Sequence, residues 1–313
     1  MVDPNTERSV LERLAQDLLD ERRRERRWRI FFRFAGLAIA LFGLGIALAV
    51  VGAREHVCLD QCTALVEVRG ELEAGGRASA QRVIRGMQAA MSHHGIKGLI
   101  LRINSPGGSP VQAGQVHAEV LRLRALHPQI PIHAVVEEMA ASGGYYIAAA
   151  ADQVFVDQAS IVGSIGVIME GFGFTGAMEK LGVERRVLTA GENKALMDPF
   201  SPQDARQRAQ IQSMLDDVHA QFVAAVKAGR GSRLKENPDL FSGLVWNGQR
   251  AVELGLADAF GSVQSVARDV IKAEELLDFT PEDDLADRFA RRFGAVLAAG
   301  WLWARHQPPP QWR

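Results

Sequence analysis

Cysteine, lysine and tyrosine are scarce in this chain of 313 residues, and neither sign of charge prevails. Two cysteines, Cys58 and Cys62, build neither a disulfide framework nor a four-cysteine zinc site. A net charge of −1 speaks against a protein that coats nucleic acid, which is normally basic, so no nucleic-acid partner is expected. Six lysines leave few candidates for any chemistry that needs an amine. No internal repeat is visible, which excludes a solenoid or tandem array. What the chain does have is an apolar share of 47% beside 23% charged residues. That balance builds a full core and excludes a mostly disordered chain.

Residues 34–51, FAGLAIALFGLGIALAVV, are uncharged and mostly apolar. A helix of that length is a candidate to span a bilayer, and it extends to Ile30 if Arg33 snorkels. RRRERRWR at 22–29 precedes it, whereas only Arg54, Glu55 and His56 follow. The positive-inside rule places the N-terminus in the cytoplasm and everything after Arg54 beyond the inner membrane. The polar stretch before the span is long for a signal peptide, which favours an uncleaved anchor over cleavage near Ala53. The expected organisation is a cytoplasmic segment over 1–29, a transmembrane anchor over 30–53, a linker over 54–62, a main domain over 63–277 and a tail over 278–313. Residues 1–29 carry an apolar spacing suited to a short amphipathic helix. In the tail, Phe289, Phe293, Val296, Leu297 and Trp301 share a helical face with Arg288, Arg291 and Arg292 opposite. Such a helix packs on the domain or a partner, or lies in a bilayer interface. Cys58 and Cys62 fall in a compartment that permits disulfides. A disulfide and two unpaired thiols both stay open, and a metal site with His56 is not expected.

From Thr63 the pattern alternates. Runs rich in β-formers at 63–70, 97–104, 131–138, 153–157 and 185–190 are separated by helical stretches at about 78–94 and 112–126 and by the short motifs SGGYYIAAAAD and FTGAMEKLG. A long helix over about 202–228 follows, and another reaches about Leu277. This order predicts an α/β domain with a mainly parallel sheet.

Three segments carry candidate chemistry. NSPGGSP, residues 104–110, follows a strand, and its glycines free backbone N–H groups to face a ligand. In AASGGYYIAAAAD, residues 140–152, Ser142 stands between small residues and a glycine-opened helix. It reads either as a nucleophile at an elbow-like turn or as a helix N-cap. A serine nucleophile needs a base. None of the eight histidines lies in a glycine-rich turn, and none occurs from 134 to 218. A lysine serves instead when its surroundings keep it neutral. Lys97, Lys180, Lys227, Lys235 and Lys272 sit where solvated helix faces or strand starts are expected. Lys194 lies in a loop, AGENKALMDPFSP, with apolar neighbours.

NSPGGSP, ASGGYYIAAAAD, IVGSIGV, AGENK with DPFSP, and LVWNGQRAVELGLADAFGS occur in order from Thr63 to Lys272. This set resembles the signal peptide peptidase A family of membrane-anchored serine proteases, in its short single-copy form. A SohB-type relative with different substrates is similar in spelling. The resemblance implies the ClpP/crotonase-like fold of ββα superhelical units. It implies Ser142 as nucleophile, Lys194 as general base, and the backbone N–H groups of Gly108 and Gly143 as the oxyanion hole. Clp-type relatives place a histidine about 25 residues after the serine; Val167 stands there in this chain. No metal or cofactor is implied. The implied substrates are remnant signal peptides or other segments of membrane and exported proteins. The implied assembly is a homo-oligomeric ring whose sites are shared between neighbouring chains. A crotonase-type acyl-CoA enzyme and a non-catalytic membrane scaffold are the rival readings; neither needs Ser142 and Lys194 together.

Overall fold

The computed structural model describes residues 24, 26–45, 58 and 61–281. The chain divides into two compact units, 1–56 and 57–313. In the first, helix α1 (Arg26–Gly45) is, among the described residues, the one helix long and apolar enough to cross a membrane. The amphipathic segment before it, most of the linker and the tail helix lie outside the described residues.

Among the described residues, the second unit is built on one eight-stranded sheet. Its main path runs β6 (Val245–Asn247), β5 (Ile161–Gly163), β3 (Ile132–Ala141), β2 (Ile96–Ser105), β1 (Cys62–Arg69), β8 (Glu275–Asp278). Strand β4 (Gln153–Val156) pairs with β3 and with β7 (Ala259–Phe260). Every pairing is parallel except β5 with β6. Parallel strands need crossovers, and helices α2 (Ala80–Ser92) and α3 (Pro110–Leu126) supply them between β1, β2 and β3. Sequence chemistry starts α3: Ser109 Oγ accepts the Gln112 N–H at 3.4 Å, and Pro110 fills a position whose N–H would lack a partner.

The central strands are buried on both faces, as a parallel sheet requires. Alternate residues of β1, Ala64, Val66 and Val68, join Leu99, Leu101 and Ile103 of β2 in the main core. The intervening Leu65, Ile100, Val135 and Phe155 meet Val263 and Val266 on the other face. Parallel strands joined by crossover helices give the mixed α/β architecture with a mainly parallel sheet that the sequence predicts.

Two expected elements differ. No strand forms over 185–190; Val187 and Leu188 lie exposed there. A strand needs a partner for its N–H and C=O groups, and among the described residues none pairs with this segment. The helix expected to reach Leu277 stops at Ile271, after a short helix (Val263–Ser265) that runs into a π-helical turn, Val266–Ile271. Lys272 turns left-handed at φ 64°, and Glu275–Asp278 then pairs with β1 as an edge strand.

Cys58 and Cys62 form a disulfide, which settles the alternative that the sequence left open. Cys62 is buried at the first position of β1. The bridge therefore secures the segment before β1 to the N-terminal ends of the parallel strands.

Candidate active site

The opposite end of the sheet, where the parallel strands finish, gathers the residues singled out above. Strand β3 ends at Ala141, and helix α4 (Gly143–Ala148) begins one residue later. Ser142 makes the turn between them with φ 51° and ψ −121°. An N-cap has an extended backbone and a hydroxyl bonded to the helix; Ser142 has neither, and its side chain makes no capping bond. A side chain at positive φ costs free energy, which the surroundings must hold in place. Here Ser142 donates its N–H to Gly163 O at 2.8 Å and accepts from Tyr146 N at 2.9 Å. The hydroxyl is thereby presented rather than consumed.

The turn after β2 lies against this serine. A Cβ on Gly107 would stand 2.7 Å from Ser142 Cβ and 2.9 Å from Gly143 N, so only glycine fits. Gly108, at φ 133°, forms an isolated parallel bridge with Leu72. Leu72 N donates to Gly107 O at 2.7 Å, and Ser109 N donates to Leu72 O at 2.8 Å. In that pattern the N–H of Gly108 itself points away from Leu72. Gly143 N–H, at the first position of a helix, has no intrahelical acceptor. Both glycines and Ser142 line one cavity of about 530 Å³.

The rest of the cavity wall comes from distant parts of the chain. Tyr146 packs on Phe222 of helix α6 (Ala205–Arg230), with ring centroids 4.9 Å apart. Val218 and Gln221 of α6 continue the wall, and Ser164 and Val167 close the side beyond β5. His117 stands behind Tyr146 at 4.8 Å, and burial pushes its pKa down, favouring the neutral ring. None of these lining roles was read from the sequence. For Ser164 a signal existed: it lies in IVGSIGV, and it too has positive φ, 50°.

Lys194 does not line the cavity that holds Ser142. It is exposed, in turns between α5 (Thr175–Leu181) and α6. Its N–H donates to Gly191 O at 3.1 Å, and the neighbouring Asn193 Oδ1 accepts from Gln207 Nε2 at 3.3 Å. The loop is thus tied to the N-terminal turn of α6, which Asp204 caps by accepting the Gln207 N–H at 2.9 Å.

Comparison with known proteins bears on the same stretch. The sequence profile of Peptidase family S49 matches residues 124–277. The putative protease slr0021 of Synechocystis is 30% identical over 199 residues, a match covering 64% of this chain and 69% of that protein. The chain belongs to peptidase family S49. This S49 chain is also 34% identical over 185 residues to a putative signal peptide peptidase SppA of Enterococcus faecium, covering 59% of itself and 53% of that relative. It is 47% identical over 168 residues to a Na(+)/H(+) antiporter NhaA of Brucella melitensis, covering 54% of itself but 23% of that protein. The S49 chain therefore spans about half, or less, of the length of these last two relatives.

Proposed function

We propose that the protein is a membrane-anchored serine endopeptidase with a Ser142/Lys194 dyad. The carrying observation is the strained Ser142, its hydroxyl uncommitted, in a cavity also lined by Gly108 and Gly143. The Ser142 hydroxyl gives its proton to the neutral amine of Lys194 as Oγ bonds to the peptide carbonyl carbon. The carbonyl oxygen becomes an oxyanion held by the N–H groups of Gly108 and Gly143. Collapse expels the amine half of the peptide, which takes the proton. Water, deprotonated by Lys194, then releases the acyl half and restores the serine.

The base comes from a neighbouring copy in a closed ring. Two observations support this. Lys194 is exposed and does not line its own chain's cavity. The arm that carries it is apolar and uncovered: Ile168 and Phe172 are 80% and 82% exposed, and Leu181, Leu188 and Phe200 are exposed as well. Soluble surfaces seldom leave so many large apolar groups together in water unless something packs on them. A heterologous contact that closes on itself would cover every arm and complete every site.

α1 is the anchor, with the arginine cluster on the cytoplasmic side and the second unit beyond the inner membrane. The Cys58–Cys62 disulfide supports that side, since such bonds persist in oxidising compartments. The substrates are remnant signal peptides or other extended segments of membrane and exported proteins. Ion exchange is not carried over from the antiporter relative, of which the match covers 23%.

The deciding experiment co-assembles two inactive variants, Ser142→Ala and Lys194→Ala. A site shared between neighbours restores about a quarter of wild-type activity in one-to-one mixed rings, because one contact repeats around the ring. Verified mixed assemblies without activity sink the shared site. A fluorophosphonate that fails to label Ser142 in wild type sinks the peptidase and leaves the scaffold.

A further inference from the structure

The turn at Ser142 is strained, and strain persists only where neighbouring structure over-determines it. Its N-terminal side is fixed by the bond from Ser142 N to Gly163 O. Its helical side is short: α4 has six residues, too few to be rigid by itself. One face of α4 presses on β2, where a Cβ on Gly144 would lie 2.9 Å from Ser105 O. The other face is held by Tyr145. Its ring is fully buried, and its hydroxyl donates to Leu256 O at 2.8 Å, across 111 residues of sequence. Burial raises the phenol's pKa, so the hydroxyl stays a donor throughout the working range.

Leu256 is itself immobilised. Its N–H donates to Ala251 O at 2.8 Å. The preceding Gly255 O accepts from Arg230 Nε at 2.8 Å. The guanidinium of Arg230, wholly buried, also meets both carboxylate oxygens of Asp258 at 2.7 and 2.9 Å. Asp258 in turn exchanges bonds with Val154 of β4: it accepts from Val154 N at 2.7 Å and donates to Val154 O at 2.8 Å. One clamp therefore joins the base of α6, strand β4 and the nucleophile helix. The same α6 supplies Val218, Gln221 and Phe222 to the cavity wall.

We propose that Tyr145 is a positioning residue: through Leu256 O it holds α4, and so fixes the Ser142 hydroxyl and the Gly143 N–H against the cavity. The proposal rests on Ser142 being the nucleophile. Misplacing reacting atoms by an ångström costs up to about a hundredfold in rate. Tyr145→Phe keeps the ring and deletes the tie. It should lower kcat about tenfold, leave KM within about twofold, and slow fluorophosphonate labelling of Ser142 in parallel with kcat. Asp258→Asn, which loosens the seat of Leu256, should give the same split in kcat against KM. The assays are run below the unfolding midpoint of each variant. A lower midpoint with wild-type kcat and labelling rate would make Tyr145 structural only and overturn the proposal. Ser142→Ala separates the two claims: if it still takes the label, the nucleophile assignment fails, whatever Tyr145→Phe does.

Discussion

Ser142 and Gly163 are joined by a backbone hydrogen bond of 2.8 Å, from the N–H of the serine to the carbonyl of the glycine. The bond ties the end of β3 to the end of β5 and leads directly into Ser164. Two serines with positive φ thus stand on adjacent strand ends, and both face the same cavity. Strain at two neighbouring serines is stored where the proposed chemistry is.

The nature of the base is open to a substitution that keeps its charge. Lys194→Arg should be as inactive as Lys194→Ala, with activity on a fluorogenic peptide at least about a thousandfold below wild type. Arginine does not deprotonate in proteins and so accepts no proton from a serine. Near-normal turnover with arginine would mean that Lys194 acts only as a charge.

Gly108→Ala addresses the oxyanion donors. The added Cβ would sit 2.5 Å from Leu72 O, and φ 133° disfavours any side chain. The turn must shift, and the Gly108 N–H moves with it. The expected loss is about a hundredfold or more in kcat, with the fluorophosphonate still reaching Ser142 slowly. Unchanged kcat would remove Gly108 from the oxyanion hole.

Acid stability should depend on His133. It is 4% exposed, and among the described residues its Nδ1 has no hydrogen-bond partner. Burial is the largest influence and lowers its pKa; Asp152 and Asp258 pull the other way, and Arg124 adds to the lowering. The fold thus prefers the neutral ring, whereas the unfolded chain protonates near pH 6.5. This contribution is complete above that pH and is lost as pH falls toward the lower folded value. The thermal midpoint of wild type should drop between pH 7.5 and about 5, and His133→Leu should flatten the drop. His117, shifted in the same direction, adds to it. An identical slope in the variant would refute the role of His133.

The disulfide gives a test of topology. In intact cells, Cys58 and Cys62 should resist alkylation until reductant is added, and single variants should expose one free thiol. Reduction should lower the thermal midpoint by a few degrees and leave kcat unchanged, since the bridge lies at the end of the sheet opposite Ser142. Two freely reactive thiols before reduction would place the domain in a reducing compartment.

Much of the fold was legible because its causes are local. Runs rich in β-formers marked β1, β2 and β3, and the helical stretch over about 112–126 marked all but the first turn of α3, whose start at Ser109 and Pro110 was not read. The glycines around Ser142 and after Asn104 were visible as glycines, though not the reason for them: a Cβ on Gly107 collides with the serine 35 residues further on. The strand expected over 185–190 shows where local signals mislead. Its residues favour a strand, but a strand exists only when a partner accepts its hydrogen bonds.

The sequence by itself determined the alternating α/β order, the apolar span near the N-terminus, and the serine, glycines and lysine that were candidates for the site. Those follow from periodicity, composition and residue chemistry along the chain. Tertiary structure alone decided that Ser142 is strained rather than a cap, that Cys58 and Cys62 are bonded, and that Tyr145 reaches Leu256. It also decided that Phe222 walls the cavity and that Lys194 stands outside it. Each depends on where segments distant in sequence come to rest. Packing and hydrogen bonding between elements fix those positions, and no single segment encodes them.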